Sequence, residues 1–277
     1  MNAPQLSIVI PVYNEAGNLS PLLSEIEAAF HGRSYEVILV DDGSDQPAAA
    51  EVVGAAAPVR VLSHRRRAGK SRALMTGFRA AHGVWIATLD GDGQNDPADL
   101  AAIAKTYGDE RPTFIVAGVR EQRNDGVIKL LTSKSANLIR KWMLRDDCRD
   151  TGCGLKMMPG AFVRTLPYFD NMHRFFPALA RRAGLDVVEY DISDRPRRHG
   201  TSKYGFFDRA AVALLDLIGV YWLSRRSSEP GEVSEQSFGS EATPATDPAP
   251  AQAVPAHTPP TDVVATSAAV VQGRFSD

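Results

Sequence analysis

Short apolar runs alternate with segments of helical spacing over the first 120 residues. Strands are predicted at Leu6–Val12, Tyr35–Val40, Val59–Leu62, Val84–Leu89 and Thr113–Ala117. Helices are predicted from Ser20-Pro21 to about Phe30, from about Gly69 to Ala81, and after Asp96-Pro97. Nearly continuous apolar strands that alternate with helices indicate an α/β fold, with a mostly parallel sheet covered by helices on both faces.

The pattern is less regular after Arg120. It predicts a long amphipathic helix over Gly126–Leu144, a helix over Arg174–Ala183, a strand over Val187–Tyr190 and a last element over Tyr204–Leu223. A basic loop containing Arg195, Arg197, Arg198, His199 and Lys203 precedes that last element. The run from Ala210 to Leu223 is too short to span a hydrocarbon core of about 30 Å.

The composition divides the chain into two parts. Residues 227–277 are rich in Pro, Ala, Ser and Thr and keep no apolar period, so we expect a disordered acidic tail. Residues 1–226 form the predicted folded domain, with 30 basic and 26 acidic residues. Such a weak positive charge suits an anionic small molecule or a lipid surface and does not by itself indicate nucleic acid binding.

Further features of the chain limit its location and chemistry. The two cysteines, Cys148 and Cys153, are too few for a disulfide scaffold, and we expect reduced thiols in a cytosolic protein. The first apolar run is a strand rather than a secretion signal, so we expect no signal peptide. Gly69-Lys70-Ser71 resembles the end of a phosphate-binding loop, but His64 stands where that motif requires its first glycine.

Acidic side chains follow three predicted strands. Glu15 follows the first strand, Asp41-Asp42 the second, and Asp90-Gly91-Asp92 the fourth. Ligands of parallel sheets bind at the carboxyl ends of the strands, so these residues predict a polar crevice for a nucleotide and a metal. Paired carboxylates with the amide oxygen of Gln94 suit a hard divalent cation. Each motif alone could equally be a solvated turn that caps the next helix.

Several segments together resemble inverting family 2 glycosyltransferases of GT-A fold, a Rossmann-like nucleotide-sugar-binding architecture. The resemblance covers about residues 5–223. It rests first on Pro11-Val12-Tyr13-Asn14-Glu15, Asp41-Asp42-Gly43-Ser44 and Asp90-x-Asp92-x-Gln94. Later segments are similar to the dolichyl- and polyprenyl-phosphate sugar transferases, and in particular to the dolichol-phosphate mannose synthase group. These segments are Lys134–Asn137, Asp150–Leu155, His173-Arg174-Phe175 and Arg197–Gly205.

The resemblance implies roles for particular residues. The donor nucleotide would be held by Pro11, Tyr13, Glu15, Asp41, Asp42, Ser44, Asp90 and Gly91. Mg²⁺ or Mn²⁺ would be held by Asp90, Asp92 and Gln94. The catalytic set would be Asp92, Arg120, Lys134, Asp150, Arg197 and Lys203, in which the basic residues contact the donor and acceptor phosphates.

The implied reaction transfers one sugar, with inversion, from a GDP- or UDP-sugar to a polyprenyl phosphate, for cell-envelope glycan or lipid glycosylation. The nucleophile would be a phosphate oxygen that is already ionised at neutral pH, so no strong general base is needed. The enzyme would act on the cytoplasmic face of the membrane as a peripheral protein, and Tyr204–Leu223 would lie at the interface or pack on the domain. The alternatives are a family 2 transferase with a non-lipid glycan acceptor and a non-catalytic nucleotide-sugar-binding protein.

Overall fold

The computed structural model describes residues 4–120, 140–146, 148–193, 195 and 206–226. Within them the strands are β1 Leu6–Val12, β2 Tyr35–Asp41, β3 Val59–Ser63, β4 Trp85–Thr88, β5 Phe114–Arg120, β6 Lys156–Pro159 and β7 Asp186–Ile192. The α-helices are α1 Leu19–Ala29, α2 Lys70–Ala80, α3 Pro97–Tyr107, α4 Gly160–Thr165, α5 Phe176–Arg182 and α6 Phe206–Ser224. Short 3₁₀ helices cover Ala48–Glu51 and Met172–Arg174, and residues 140–144 are helical.

The strands form one sheet in the order β3-β2-β1-β4-β6-β5-β7. All neighbouring pairs are parallel except those of β6, which runs antiparallel between β4 and β5. The predicted α/β fold with a mostly parallel sheet is therefore confirmed. The antiparallel β6 was not predicted, because its four residues follow a Gly-rich segment and are too few to show a strand period.

Alternating strand residues face two separate apolar layers. In β1, Ile8 and Ile10 pack in the layer that contains α1 and α3. Val9 points to the opposite layer, which contains α2, α4, α5 and α6. Because successive strand side chains alternate between faces, an uninterrupted apolar strand requires helices on both sides. The predicted covering of both faces is thus confirmed.

The start of α1 differs from its prediction. The helix begins at Leu19 after Asn18, and Ser20 lies inside it, so the predicted Ser20 cap is wrong. The Asn18 side chain does not cap the helix either, and its Nδ2 donates to Glu15 Oε2 at 2.8 Å. The predicted Asp96 cap of α3 is confirmed, since Asp96 Oδ1 accepts from the Ala98 N–H at 2.8 Å.

The parallel strands bring several loops to one edge of the sheet. β1, β2, β4 and β5 end there, and the segment that leads into β6 lies beside the end of β4, where Lys156 pairs with Thr88. Much of the predicted helix over Gly126–Leu144, the Arg197–Lys203 part of the basic loop and the predicted tail over 227–277 lie outside the described residues.

Candidate active site

A cavity of about 250 Å³ opens at this edge of the sheet, at the ends of β1 and β4. Seven residues predicted from the sequence line it: Pro11, Tyr13, Glu15, Asp42, Asp90, Gly91 and Asp92. The other lining residues are Val12, Arg67, Lys70 and Ala73. Carboxylates and cationic side chains therefore face one small space.

The loop after β1 is joined to the loop after β2. Asn14 adopts a left-handed conformation with φ of 55°, which an asparagine tolerates better than most residues. Its backbone N–H donates to Ser44 Oγ at 3.0 Å, and its side chain exchanges two hydrogen bonds with Asp45, each 2.9 Å long. Ser44 thus fixes the loop that carries Tyr13 and is not among the lining residues.

Asp41 is buried beneath the loop that follows β2. Its Oδ1 accepts from the Ser44 N–H and its Oδ2 from the Ala48 N–H, both at 2.9 Å. Burial raises the pKa of this carboxyl group, but the hydrogen bonds from Ser44 and Ala48 outweigh it and leave the pKa below its usual value. Both oxygens of Asp41 are therefore engaged in holding the loop.

Asp42 lines the cavity and also organises the segment before α2. Its Oδ1 accepts from the Ala68 N–H at 2.9 Å, and its Oδ2 accepts from the Gly69 N–H at 2.7 Å. His64 Nδ1 lies 2.7 Å from the same Oδ1, and His64 Nε2 lies 2.9 Å from Thr76 Oγ1. These contacts bring the segment between β3 and α2 to the mouth of the cavity.

The Asp90 carboxylate lies among three cationic side chains. Lys70 Nζ is 2.5 Å from Asp90 Oδ1. Burial raises the pKa of Asp90, and the charges of Lys70, Lys156 and Arg120 outweigh it, so the pKa lies below its usual value. Asp90 is therefore ionised at neutral pH.

Asp92 and Gln94 form a tight turn beyond β4. Asp92 is almost fully buried, and its Oδ1 accepts from the Gln94 N–H at 3.2 Å. Gln94 is not among the lining residues, and its backbone oxygen accepts from the Arg195 N–H at 3.2 Å. Arg195 also pairs with Glu25 and Asp96, so the start of the basic loop is anchored beside this turn.

Arg120 and Asp150 form a bidentate ion pair at the end of β5. Arg120 Nε donates to Asp150 Oδ2 at 2.7 Å and Arg120 Nη2 to Asp150 Oδ1 at 3.1 Å. Such paired hydrogen bonds fix the plane of the guanidinium group. Neither residue is among those lining the cavity. The other predicted basic residues, Lys134, Arg197 and Lys203, lie outside the described residues.

Sequence reasoning missed three cationic residues near the cavity. The Arg67 guanidinium lies 4.3 Å from the centre of the Tyr13 ring. Lys70 belongs to the incomplete phosphate-loop motif, and its signal is a lysine at the start of the helix that follows β3. Lys156 is buried, and its Nζ donates to the carbonyl oxygens of Thr151 and Cys153. Burial lowers the pKa of Lys156.

The acidic pair at the end of β4 suits a hard divalent cation. In the part of the chain that the structure describes, no three His, Cys, Asp or Glu side chains group as metal ligands. Two carboxylates are nevertheless a common protein contribution to a Mg²⁺ site, because substrate phosphates and water supply the other oxygens. The Lys70 ammonium is already paired with Asp90, which shows that the Asp90 carboxylate binds a positive charge at this point of the cavity.

The last helix, α6, exposes an apolar face. Leu217 and Val220 are buried against the domain, and Asn171 Nδ2 donates to Asp216 Oδ2 at 3.1 Å. The outward side chains are Val212, Leu214, Leu215, Ile218 and Trp222, of which Leu215 is 69% exposed. Among the described residues, no helix has both the length and the apolar character needed to cross a membrane.

The chain matches a known family over most of its sheet. The model of glycosyl transferase family 2 matches residues 7–166, which is more than half of the sequence. The chain belongs to glycosyl transferase family 2. The predictions of this family and of a glycosyltransferase are therefore confirmed.

Curated relatives of this family 2 chain are polyprenyl-phosphate sugar transferases by name. It is 32% identical to the dodecaprenyl-phosphate galacturonate synthase of Rhizobium johnstonii, over 82% of the chain and 69% of that protein. It is 35% identical to the undecaprenyl-phosphate 4-deoxy-4-formamido-L-arabinose transferase of Shewanella sediminis, over 75% of the chain and 64% of that protein. The same-named protein of Pectobacterium carotovorum is 33% identical, over 73% of the chain and 63% of that protein.

Solved structures resemble the fold of this family 2 domain. Glucosyl-3-phosphoglycerate synthase from Mycobacterium tuberculosis, in complex with Mn²⁺, UDP and glucosyl-3-phosphoglycerate, superimposes with a TM-score of 0.61. The two chains are 16% identical, and the match covers 82% of each. A second crystal structure of that enzyme, with Mg²⁺ and UDP, also gives a TM-score of 0.61. At this identity the likeness establishes the fold.

Proposed function

We propose that this glycosyltransferase moves a sugar from a UDP- or GDP-sugar to a polyprenyl phosphate, with the help of a divalent cation. The observation that carries the proposal is the cavity at the ends of β1 and β4, where Asp90 and Asp92 face Arg67 and Lys70. The names of the relatives support the acceptor class, because each refers to a dodecaprenyl or undecaprenyl phosphate.

The donor nucleotide occupies the cavity. Tyr13 and Arg67, already stacked on each other, offer planar surfaces to the base. Asp41 and Asp42 contribute by holding the loops around the nucleoside, since their oxygens accept backbone N–H groups of residues 44–48 and 68–69. Preformed walls of this kind lower the entropy that is lost on binding.

Asp90 and Asp92 are the residues that would hold Mg²⁺ or Mn²⁺, with Gln94 as a third candidate. Such an ion supplies positive charge against the nucleoside diphosphate as it leaves. The chain's own cations serve the same phosphates: Lys70 lines the cavity, and Asp150 orients the Arg120 guanidinium at the adjacent strand end. Fixed cations stabilise developing negative charge without reorganisation during the reaction.

The acceptor requires positioning rather than activation. A phosphate monoester has a second pKa near 6, so its oxygen is already a nucleophile at neutral pH. None of the described residues that line the cavity is a histidine, which agrees with a reaction that uses no histidine base there. Arg197 and Lys203 follow the anchored Arg195 within eight residues, and they are the proposed contacts to the lipid phosphate.

The lipid chain of such an acceptor stays in a bilayer, so the protein must meet the membrane surface. The outward face of α6 presents leucines, an isoleucine and Trp222 to solvent, and the Arg226 guanidinium lies 5.7 Å from the Trp222 ring centre. Apolar side chains flanked by arginine suit the boundary between acyl chains and anionic headgroups. We therefore place the enzyme peripherally on the cytoplasmic membrane face, with this helix at the interface.

A transfer assay tests the proposal. Purified protein with Mg²⁺ is mixed with a panel of UDP- and GDP-sugars, with and without undecaprenyl phosphate in detergent, and glycolipid is measured by mass spectrometry. We expect glycolipid with one donor, loss of product after chelation of the metal, and loss of product in Asp92→Asn. The matched control is Asp186→Asn, an exposed carboxylate at the start of β7.

Two outcomes would contradict this function. Nucleotide release with a soluble glycan and none with undecaprenyl phosphate would establish the non-lipid acceptor. Nucleotide binding without turnover of any donor in the panel would favour a binding protein.

A further inference from the structure

Lys70 occupies an unfavourable place for a lysine. It is the first residue of α2, and a positive charge at the N-terminus of a helix opposes the helix dipole. Its ammonium nevertheless reaches Asp90 Oδ1, 2.5 Å away, at the cavity surface. Helix stability does not explain a cation at this position, whereas the contact with Asp90 does.

The Asp90 carboxylate is confined where it meets Gly154. Gly154 lies so close that a Cβ atom there would clash with Cγ and both oxygens of Asp90, with Oδ2 only 2.5 Å away. The Gly154 backbone is itself held, because Thr88 Oγ1 donates to the Gly154 carbonyl oxygen at 2.6 Å. When a second cation approaches Asp90, the carboxylate therefore cannot retreat toward Gly154. The partner that can move is Lys70, whose side chain has four rotatable carbons and is 35% exposed.

We propose that Lys70 is a positioning residue that occupies the cation position at Asp90 until the divalent ion arrives, and that it then turns to the donor diphosphate. The proposal rests on the function proposed above. Two cations at one carboxylate oxygen repel each other, so the ion displaces the ammonium. The displaced ammonium remains at the cavity, where the diphosphate is the next anion within its reach.

This exchange predicts two effects of opposite sign. Without the Lys70 ammonium, a divalent ion no longer competes with a cation in direct contact with Asp90 Oδ1, so the affinity of the nucleotide-free protein for the ion rises. The affinity for a nucleoside diphosphate falls, because a charge-assisted contact is lost. A residue with a merely structural role would weaken both kinds of binding or neither.

Mn²⁺ titration of the full chain, followed by electron paramagnetic resonance of the unbound ion, tests the exchange. We expect Lys70→Met to bind Mn²⁺ about twofold to fivefold more tightly than the wild type without nucleotide, the range for a partly exposed ion pair. In saturating Mn²⁺, its affinity for UDP or GDP should fall by about tenfold. Lys70→Arg should restore much of the nucleotide affinity, and Lys105→Met, on the exposed end of α3, should match the wild type.

The outcomes separate this inference from the proposed function. If the wild type binds no Mn²⁺ even with UDP or GDP, the metal site and the exchange are both wrong. If the wild type binds Mn²⁺ and Lys70→Met leaves both affinities unchanged or lowers both, the metal site stands and the exchange is refuted. Lys70→Gln provides the same comparison if Lys70→Met is unstable.

Discussion

Gly154→Ala is the sharpest test of how the backbone positions the acidic pair. The added methyl group would clash with Asp90 Cγ and lie 2.5 Å from Asp90 Oδ2, whereas carbon atoms prefer separations of about 3.5–4.0 Å. The carboxylate must therefore move by about 1 Å, since the Gly154 carbonyl is held by Thr88. Movement on this scale in an active site costs roughly 10²-fold in rate, and overpacking costs about 1–3 kcal/mol of stability.

We expect Gly154→Ala to fold, to melt at a lower temperature, and to lose most of its transfer activity and its Mn²⁺ affinity. The assays are thermal unfolding, the Mn²⁺ titration and the glycolipid assay. Gly219→Ala is the control, because a Cβ there meets no atom within 4 Å and should leave Mn²⁺ affinity unchanged. Wild-type Mn²⁺ affinity in Gly154→Ala would refute the idea that this glycine confines Asp90.

Three further predictions concern the membrane face, acid stability and the thiols. Leu215→Asp should weaken binding to anionic vesicles by about tenfold to a hundredfold, the value of one buried leucine. Val53→Asp, at an even more exposed apolar residue outside α6, should leave vesicle binding unchanged, and equal effects of the two substitutions would refute the role of α6. The folded-state pKa of Asp41 is lowered, so its contribution to stability is complete above about pH 4 and is lost as the pH falls through the folded-state value. The free energy of unfolding, measured by denaturant titration, should therefore fall less steeply with decreasing pH in Asp41→Asn than in the wild type. An equal pH dependence of the two proteins would contradict this. Burial raises the pKa of Cys148 to about 11 and also raises the pKa of Cys153. Because the thiolate is the reactive form, iodoacetamide at pH 8 should label both cysteines only after unfolding. Rapid labelling of the folded protein would contradict the burial of these thiols.

Local patterns were sufficient for much of the sheet. β1 has the predicted bounds, β2 and β3 each extend one residue beyond the prediction, and β4 is one residue shorter at each end. Strands buried on both faces show as apolar runs, and these runs end at glycine or acidic turns. The same logic failed for β6, whose place between β4 and β5 depends on long-range pairing that no local period records.

The acidic residues of the site were predictable, but their contacts were not. Asp90 and Asp92 follow a buried strand, and they line the cavity as that position suggests. Asp41 was predicted to hold the nucleoside, whereas its oxygens accept N–H groups of the following loop. A sequence identifies a carboxylate at a strand end but does not say which backbone groups will reach it.

The sequence by itself determined the fold class, the family and the edge of the sheet at which the acidic residues line a cavity, because each depends on residues close together in the chain. The tertiary structure decided which cations meet the acidic pair. Lys70 and Gly154 lie 20 and 64 positions from Asp90, and only the order of the strands brings both of them against one carboxylate. The electrostatic balance of the site arises from that packing, since charge interactions depend on distance in space and not on separation along the chain.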